Sequence, residues 1–452
     1  MPHQQHGRAV VIGGGICGLA TARVLSEHFR EVVLVERDPL PEEDTHRSGT
    51  PQARHVHGLL SLGARHLERL FPELRAELKT AEAPVFDHGS GARTQVWAGT
   101  LPPRAVGIEV QTFHRDTLEG ALRRRVRSLE NVTILDGTPV DGLHVDKVGG
   151  RVTGVRLRGA DEIKQQRVAD AEWVVDATGR FSRLPQWLED AGYDRPHETV
   201  IDADLAYATA LVEAEPPEGG VHAIQQMNQA PTRPGGVYAT DIGRGIWMVT
   251  LFGAGGHHPL LDEDGWRAFA AGLRNPGLDR LLDAGTLVSG VVHQFKETCN
   301  RRREYAALHR WPDRLVALGD SAHAFNPVFG QGMTVAVCEA VGLGVALARR
   351  QSLNGLAQTV QRNVAQRARG PWMLAVSEDL VWSHAKHSKR LPLWLRAASW
   401  YKQRLLYLVV HSPDARVMHT FLRVFHMITS PAAIAHPRIV AQVLFRARSP
   451  RP

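Results

Sequence analysis

The chain carries a glycine cluster directly after its first apolar run, and this arrangement constrains the fold more than any other feature. The apolar run Ala9–Ile12 leads into Gly13-x-Gly15-x-x-Gly18, and a helix is predicted to follow. Gly13 permits a tight turn, Gly15 lets the backbone approach a pyrophosphate, and Gly18 lets the helix pack closely on the strand. The free N–H groups and the positive dipole end of such a helix favour bound phosphate.

A second apolar run, Val32–Val35, ends in Glu36, which lies 18 residues after Gly18. An acid at this position can accept hydrogen bonds from both hydroxyls of an adenosine ribose. It therefore favours FAD or NAD, which have a free 2′-hydroxyl, over NADP. A glycine-rich turn without a ligand would leave the spacing to Glu36 unexplained. The segment therefore predicts a dinucleotide site in a Rossmann-like α/β domain.

A similar pattern of strand and turn returns late in the chain. The apolar run Leu315–Leu318 is followed by Asp320, whose carboxylate is placed to accept a hydrogen bond from a polyol hydroxyl. A turn-rich loop covers residues 327–332, and a helix is predicted from near Met333. The N–H groups at the start of that helix can donate to a developing anion.

A third motif, residues 173–183, is an apolar strand that ends in Asp176 and Gly179. The three motifs in this order resemble those of the class A flavin monooxygenases of the para-hydroxybenzoate hydroxylase-like superfamily, over about residues 8–350. The resemblance implies an α/β (α+β two-domain) fold, with a Rossmann-like FAD-binding domain, an inserted antiparallel-sheet substrate domain and a helical C-terminal region. The implied segments are 1–194 (FAD binding, with early substrate-side insertions), 195–310 (substrate sheet), 311–350 (return to the FAD-binding domain) and 351–452 (basic helical region).

The resemblance also implies the chemistry. FAD, reduced by NAD(P)H or by a separate reductase, would react with O2 to form a flavin C4a-hydroperoxide that delivers one oxygen atom to the substrate. Ala177 stands where the family often has glycine in a motif linked to NAD(P)H binding. NAD(P)H and a separate reductase therefore both remain candidates for the electron donor. No catalytic residue is assigned. The predicted cofactor-binding residues are Gly13, Gly15, Gly18, Glu36, Arg37, Arg47, Arg115, Asp320, Pro327, Gly330, Gly332 and Met333.

A further segment, residues 47–60, resembles a subgroup of bacterial natural-product oxygenases that includes alkene epoxidases and is related to squalene epoxidase-like enzymes. An arginine at the position of Arg47 contacts FAD in the superfamily, and the helix that begins at Arg115 often contacts the cofactor there. His55 and His57 alternate along the segment. They fit either a metal pair, for which no third ligand is apparent, or packing and hydrogen bonding near the flavin.

Residues 195–310 predict several strands in succession, which is typical of an antiparallel sheet. In the resembled fold such a sheet covers one side of a substrate cavity above the flavin. Candidates for its lining are Met227, Tyr238, Trp247 and Met248, although packing in the core would also explain each of them. The predicted strands are Leu205–Val212, Val221–Gln226, Gly236–Thr240, Ile246–Phe252 and Val288–Phe295, with a helix over Asp262–Leu273.

The net charge of +7 comes from the end of the chain, since residues 370–452 hold 12 Lys and Arg but only 3 Asp and Glu. This region reads as helical, with Pro371, Pro392, Pro413 and Pro431 between its segments. It fits either a helical layer packed on the core or an amphipathic surface in peripheral contact with a membrane. Nucleic acid is not expected as a partner, because the region lacks the aromatic and zinc patterns of nucleic-acid binders.

The resulting hypothesis is an FAD-dependent monooxygenase of the cytoplasm, active on a bulky apolar secondary metabolite. Epoxidation of an alkene is slightly favoured over hydroxylation of an aromatic, phenolic polyketide-type substrate. Two other classes stay open. The first is a flavin-dependent alkene reductase or dehydrogenase that inserts no oxygen, and the second is a flavin-binding redox sensor without enzymatic activity. A separate flavin reductase is a candidate partner.

Overall fold

A computed structural model describes residues 6–158, 167–217, 219–288, 293–350, 352–386 and 390–448. Its strands are β1 (His6–Ile12), β2 (Phe29–Val35), β3 (Val85–Asp87), β4 (Ala92–Val96), β5 (Gly99–Thr100), β6 (Glu109–Gln111), β7 (Val132–Leu135), β8 (Val140–Asp146), β9 (Arg151–Leu157), β10 (Arg167–Asp170), β11 (Trp173–Asp176), β12 (Glu198–Ile201), β13 (Ala206–Glu213), β14 (Ala223–Gln226), β15 (Gly235–Asp241), β16 (Ile246–Gly253), β17 (Thr286–Leu287), β18 (His293–Phe295), β19 (Asn300–Arg303), β20 (Leu315–Ala317) and β21 (His323–Ala324).

The helices alternate with these strands in the first part of the chain and dominate the last part. They are α1 (Ile16–Leu25), α2 (Ser61–Leu70), α3 (Leu74–Thr80), α4 (His88–Gly91), α5 (Arg115–Arg127), α6 (Leu184–Asp190), α7 (Glu263–Gly272), α8 (Pro276–Ala284), α9 (Gly332–Ala348), α10 (Leu356–Lys386), α11 (Leu393–His411), α12 (Ala415–Phe425) and α13 (Pro437–Phe445).

A five-stranded parallel sheet in the order β20-β11-β1-β2-β7 forms the centre of the molecule. Its strands are short, continuous apolar runs because both faces of the sheet are covered. Helices α1, α5 and α9 pack together beside it. Ile12 pairs with Asp176, and Asp176 pairs with Ala317, so the three sequence motifs end at one edge of the sheet. The predicted α/β fold with its parallel Rossmann-like core is confirmed.

A second, eight-stranded sheet is antiparallel except where β14 runs parallel to β4. Each of the five strands expected in residues 195–310 is found within one or two residues, apart from the last. The run Val288–Phe295 contains β18, and its residues 289–292 lie outside the described part of the chain. Strands β4 and β5 join this sheet from residues 92–100. The domain boundaries at 194, 310 and 350 stay predictions.

Helix α10 runs for 31 residues and has Pro371 in its interior, so the prediction that Pro371 separates two segments was wrong. A proline inside a helix removes one hydrogen bond and costs about 3 kcal/mol. Here the packing outweighs that cost. The first half of α10 is buried against the parallel-sheet core through Val360 and Val364, and the second half is buried through Trp372 and Trp382 in another apolar cluster.

The remaining helices of the C-terminal region form a layer on the sheet domain. Leu405 and Val409 of α11 share a buried cluster with Val96 and Ile108. The indole N–H of Trp97 donates to the carbonyl of Gln403 at 3.2 Å. These contacts agree with the interpretation of this region as a helical layer packed on the core. Within the described residues, no helix is both long enough and apolar enough to cross a membrane.

Candidate functional site

A cavity of about 530 Å³ lies at the edge of the parallel sheet where the three motifs meet. The side of the cavity that carries Gly13, Glu36, Arg47 and Asp320 is called the motif wall. A second group of lining residues, in which His55 lies beside Tyr207 and Phe295, is called the sheet wall. The predicted cofactor residues that line the cavity are Gly13, Gly15, Glu36, Arg37, Arg47, Arg115, Asp320, Pro327, Gly330, Gly332 and Met333.

Gly18, the remaining predicted cofactor residue, lies behind the cavity. A Cβ atom at Gly18 would stand 1.8 Å from the carbonyl oxygen of Gly13, so its role is the close packing of helix on strand. Gly13 itself adopts a φ of +105°, which favours glycine. Gly15 precedes helix α1, whose first turn has neither a side-chain cap nor an acidic residue. The N–H groups of this turn are therefore available to a phosphate.

Glu36 is held in place at the end of β2. Its Oε2 accepts from the N–H of Gly14 at 2.6 Å, and its Oε1 accepts from the N–H of Asp38 at 3.1 Å. Arg47 lies 3.3 Å from the same carboxylate. The carboxylate is thus oriented beside the open turn of α1, where an adenosine ribose would need it. The role of Glu36 in cofactor binding stays a prediction.

Arg47 is buried between carboxylates. Its Nε donates to Oε1 of Glu119 at 2.7 Å, and Arg115 approaches the other oxygen of Glu119 at 3.7 Å. Burial lowers the pKa of Arg47, but Glu119 and Glu36 outweigh that effect and leave the pKa raised. Glu119 was missed by the sequence reading. Its position four residues after Arg115 in the predicted helix was the available signal, because such residues share one helix face.

His57 connects this charged group to the sheet wall. Its Nδ1 donates to the carbonyl of His55 at 2.8 Å, and its Nε2 accepts from Arg115 at 3.0 Å. Burial and the neighbouring guanidinium of Arg115 hold the pKa of His57 well below its usual value. His57 is therefore neutral and acts as a hydrogen-bond acceptor for Arg115.

Hydrogen bonds within the middle motif fix the turn at residues 177–180, which lines the cavity. The buried Asp176 accepts from the N–H and the hydroxyl of Thr178 and from the hydroxyl of Ser182. The N–H of Gly179 donates to the hydroxyl of Ser321 at 2.9 Å and joins this turn to the late motif. Arg180 lines the cavity and donates to the carbonyl of Phe325 at 3.0 Å.

The late motif combines a buried acid with an uncapped helix. Burial raises the pKa of Asp320, although Arg180 and Arg115 act in the opposite direction. Helix α9 begins at Gly332 without a side-chain cap or an acidic residue in its first turn, so its N–H groups are free to face an anion. Two uncapped helix ends, an oriented acid and a second acid in one cavity fit an adenine dinucleotide with a second polyol, as FAD requires.

Helix α10 fixes the loop before α9 through hydrogen bonds to Asp379. The side-chain amide of Asn326 donates to Asp379 at 2.9 Å, and Asn300 donates to the same carboxylate. Burial raises the pKa of Asp379 to about 7. The C-terminal region therefore contributes directly to the conformation of the loop that contains Pro327 and Gly330.

The structure does not bring the four substrate candidates to the cavity. Trp247 is 0% exposed in the core beneath α7, and Met248 is buried one position along. Tyr238 stacks on Phe252, and Met227 packs against the C-terminal helices. The alternation of side chains along a strand places Trp247 on the face of the sheet away from Tyr207, whereas Met248 and Tyr238 share the face of Tyr207 but do not line the cavity. The cavity is instead lined from this sheet by Tyr207 of β13 and Phe295 of β18.

The sheet wall is aromatic. The ring of His55 lies 5.9 Å from that of Tyr207 and 5.8 Å from that of Phe295, measured between centroids. Burial, His293 and Arg54 lower the pKa of His55 to about 4. Neither Tyr207 nor Phe295 could be identified from sequence as a lining residue, because their place depends on the register between distant strands.

Comparison with known proteins agrees with this geometry. Residues 8–101 match the family described as FAD dependent oxidoreductase. Protein Rv3254 of Mycobacterium tuberculosis is 33% identical over 450 residues, covering 96% of this chain and 93% of that protein. Kynurenine 3-monooxygenase of Salinispora tropica is 26% identical over 355 residues, covering 75% of this chain and 72% of that protein.

Among solved structures, p-nitrophenol 4-monooxygenase PnpA from Pseudomonas putida DLL-E4 has a similar fold. The TM-score is 0.63 at 18% identity, with 93% of this chain and 98% of that chain covered. Fold, motifs and relatives agree with one another. The chain belongs to the same family as Protein Rv3254, and it has the fold of the flavin monooxygenases.

Proposed function

We propose that the enzyme inserts one oxygen atom of O2 into a bulky, largely apolar secondary metabolite, with epoxidation of an alkene favoured over hydroxylation of a phenolic ring. The observation that supports this best is the single cavity between the motif wall and the aromatic sheet wall. FAD, when bound, supplies O2 reduction and oxygen transfer. The aromatic wall excludes water, which suits an apolar substrate carbon beside a reactive cofactor.

The residues of the motif wall would bind and orient the cofactor. The open first turn of α1 would donate to its pyrophosphate, and Glu36 would accept from its ribose. The start of α9 at Gly332 would place N–H dipoles toward negative charge on the reduced ring. Arg115, oriented by Glu119 and His57, would add a fixed positive charge nearby.

Aromatic hydroxylation is the second candidate. Two similar proteins are named for kynurenine and for p-nitrophenol, both aromatic compounds. A phenol would need help with deprotonation, and neither His55 nor His57 is an obvious base, since both have low pKa values. Alkene epoxidation needs no base, so the neutral sheet wall supports it. An alkene reductase without oxygen insertion is the third candidate.

The test is oxygen incorporation. The purified protein should carry FAD, and reduction followed by ¹⁸O-labelled O2 should give a product that contains one heavy oxygen atom. NAD(P)H and a separate flavin reductase should be compared as electron donors in the same assay. A substrate that gains only hydrogen atoms would favour the alkene reductase instead.

Substitution of Asp320, compared with a control substitution on the surface, tests the predicted binding of FAD. Asp320→Ala removes the acid that we place beside a polyol hydroxyl of FAD, and its affinity for FAD should fall by at least tenfold, about the effect of one charged hydrogen bond. Asp190→Ala, at an exposed site in α6, is the control. Retention of FAD by the Asp320 variant after dialysis, as in the control, would contradict the role of Asp320.

We also propose peripheral contact between the C-terminal region and anionic membranes. The side chains of Leu393, Trp394, Trp400 and Phe445 are exposed, and the guanidinium of Arg404 lies 4.9 Å from the Trp400 ring. The basic charge of the region would favour an anionic surface. Co-sedimentation with phosphatidylserine vesicles should decrease in Trp394→Ser/Phe445→Ser, with neutral vesicles as the control. Equal sedimentation of both proteins would contradict membrane contact.

A further inference from the structure

We propose that the Nε2–H of His55 and the hydroxyl of Tyr207 form a donor pair that binds an oxygen atom of the substrate. This inference rests on the proposed function and narrows it. The substrate would be an apolar ring or chain that carries a hydrogen-bond acceptor, such as a ketone or quinone carbonyl, and would not be a plain hydrocarbon.

A series of hydrogen bonds connects His55 to the sheet. The N–H of Val56 donates to the hydroxyl oxygen of Thr250 at 2.9 Å. The hydroxyls of Thr250 and Thr209 lie 2.6 Å apart, and Oγ1 of Thr209 lies 2.7 Å from Nδ1 of His55. Both threonines are buried in the sheet, at the paired positions of β13 and β16.

The hydrogen bonds between His55, Thr209 and Thr250 can run in only one direction. Each threonine hydroxyl has one hydrogen to donate. If His55 donated from Nδ1, Thr209 would donate to Thr250, and the Thr250 hydroxyl would find no acceptor among the described residues although it is only 2% exposed. A buried donor without an acceptor is costly. In the opposite direction every hydroxyl has an acceptor, so Thr209 donates to Nδ1 of His55.

The direction of these hydrogen bonds determines the tautomer of His55. An imidazole that accepts at Nδ1 carries its hydrogen at Nε2 when it is neutral. His55 is neutral at ordinary pH, because burial, His293 and Arg54 lower its pKa to about 4. Its Nε2 has no hydrogen bond within the described part of the chain, and the residue lines the cavity. His55 therefore presents a donor to the cavity contents.

Tyr207 supplies the second donor. Its side chain is 5% exposed and lines the cavity, and its hydroxyl has no hydrogen-bond partner among the described residues. Burial and the neighbouring Tyr238 raise the pKa of Tyr207 well above its usual value, so the hydroxyl keeps its hydrogen. An unpartnered buried hydroxyl is rare in native proteins and calls for a ligand, an ion or a water molecule. The rings of Tyr207 and His55 are neighbours, with 5.9 Å between their centroids.

The first experiment observes the tautomer directly and needs no substrate. Two-bond ¹H–¹⁵N correlation spectra of the ¹⁵N-histidine-labelled holoenzyme should show His55 as the Nε2–H tautomer, with His55→Gln identifying its signals. Thr250→Val removes the hydroxyl that sets the direction of the chain and should shift the tautomer populations of His55. Thr240→Val, a buried threonine outside the chain, should not. A wild-type His55 in the Nδ1–H form would overturn the proposal.

The second experiment measures recognition of an oxygen atom in the oxidised holoenzyme. α-Tetralone and tetralin differ by one carbonyl, and their binding can be followed through the visible spectrum of the flavin. Wild type should bind the ketone about tenfold more tightly than the hydrocarbon. Tyr207→Phe and His55→Phe should each remove most of this preference, whereas Tyr238→Phe, in the same sheet but outside the cavity lining, should keep it.

Absence of a ketone preference in wild type, including absence of ketone binding, would overturn the donor pair. The two hypotheses fail separately. Loss of ¹⁸O incorporation with an intact ketone preference would refute the monooxygenation and leave the oxygen-binding pair standing. Incorporation of ¹⁸O without a ketone preference would refute the oxygen-binding pair and leave the monooxygenation standing.

Discussion

Around Arg47 in the motif wall, charged side chains are paired with one another, whereas at the sheet wall two aromatic side chains have polar groups without a partner in the described part of the chain. Arg47 contacts Glu119, Glu36 and Asp38. The hydroxyl of Tyr207, by contrast, has no partner among the described residues. A wall whose groups are mutually paired can remain rigid before any ligand arrives. A wall with unpaired groups gains its hydrogen bonds only when a ligand binds.

This difference separates two tasks in one cavity. In the proposed function the motif wall would hold the cofactor through many turnovers, and pre-formed geometry would lower the cost of binding it. In the proposed function the sheet wall would accept a substrate and release a product, and its polar groups would remain free for that ligand. Unsatisfied groups of this kind reduce the stability of the fold, and functional sites often carry that cost. The comparison can be tested by removing one group from each wall.

The largest effect is expected at the motif wall. Glu119→Ala would leave the buried Arg47 without its nearest carboxylate, and the free energy of unfolding should fall by about 3 kcal/mol. Affinity for FAD should fall as well, because Arg47 and Arg115 both lose the group that orients them. Urea unfolding monitored by circular dichroism and the flavin content after gel filtration would measure the two effects.

The matched control for Glu119 is a surface ion pair. Glu263 accepts from Arg267 at 2.9 Å within helix α7, and both side chains are exposed. Glu263→Ala should cost at most about 1 kcal/mol, because an exposed pair contributes little. Equal losses in the two variants would show that Arg47 is satisfied without Glu119, and the description of the motif wall as mutually paired would fail.

Sequence reasoning identified the motif wall because its parts are local. The segment from His6 to Glu36 contains a complete strand, helix and strand, and each glycine of the motif has a backbone reason to be there. The sheet wall depends on distant contacts. Tyr207 reaches the cavity only because β13 pairs with β16 in one particular register, and a shift by one residue would reverse every side chain. For that reason Trp247, a plausible candidate from sequence, lies in the core.

Asp379, which holds the loop beside the cavity, should make the stability of the fold depend on pH. Burial raises the pKa of Asp379 to about 7, whereas in the unfolded chain it should titrate near its ordinary value of 3.8. The unfolded chain therefore loses this proton first, and the stability contribution of Asp379 falls as pH rises from about 4 to 7. The slope is at most about 1.4 kcal/mol per pH unit.

Asp379→Asn removes this titration. Its free energy of unfolding should be less dependent on pH between 4 and 7 than that of wild type, by the slope of a single carboxyl. Glu339, whose pKa burial raises to about 8, contributes with the same sign in both proteins and cancels in the difference. Parallel stability curves for the two proteins would mean that Asp379 is ionised throughout, held by Asn326 and Asn300.

The smallest effect is expected at the sheet wall, and it has the opposite sign. Tyr207→Phe removes a buried hydroxyl that has no partner among the described residues, so no hydrogen bond is lost and a desolvated polar group is eliminated. The free energy of unfolding should stay the same or rise by up to about 1 kcal/mol in the absence of substrate. The same variant should bind an oxygen-bearing ligand less well, so stability and recognition would change in opposite directions. A loss of stability comparable to that of Glu119→Ala would show that the Tyr207 hydroxyl is already paired, and the two walls would then be built alike.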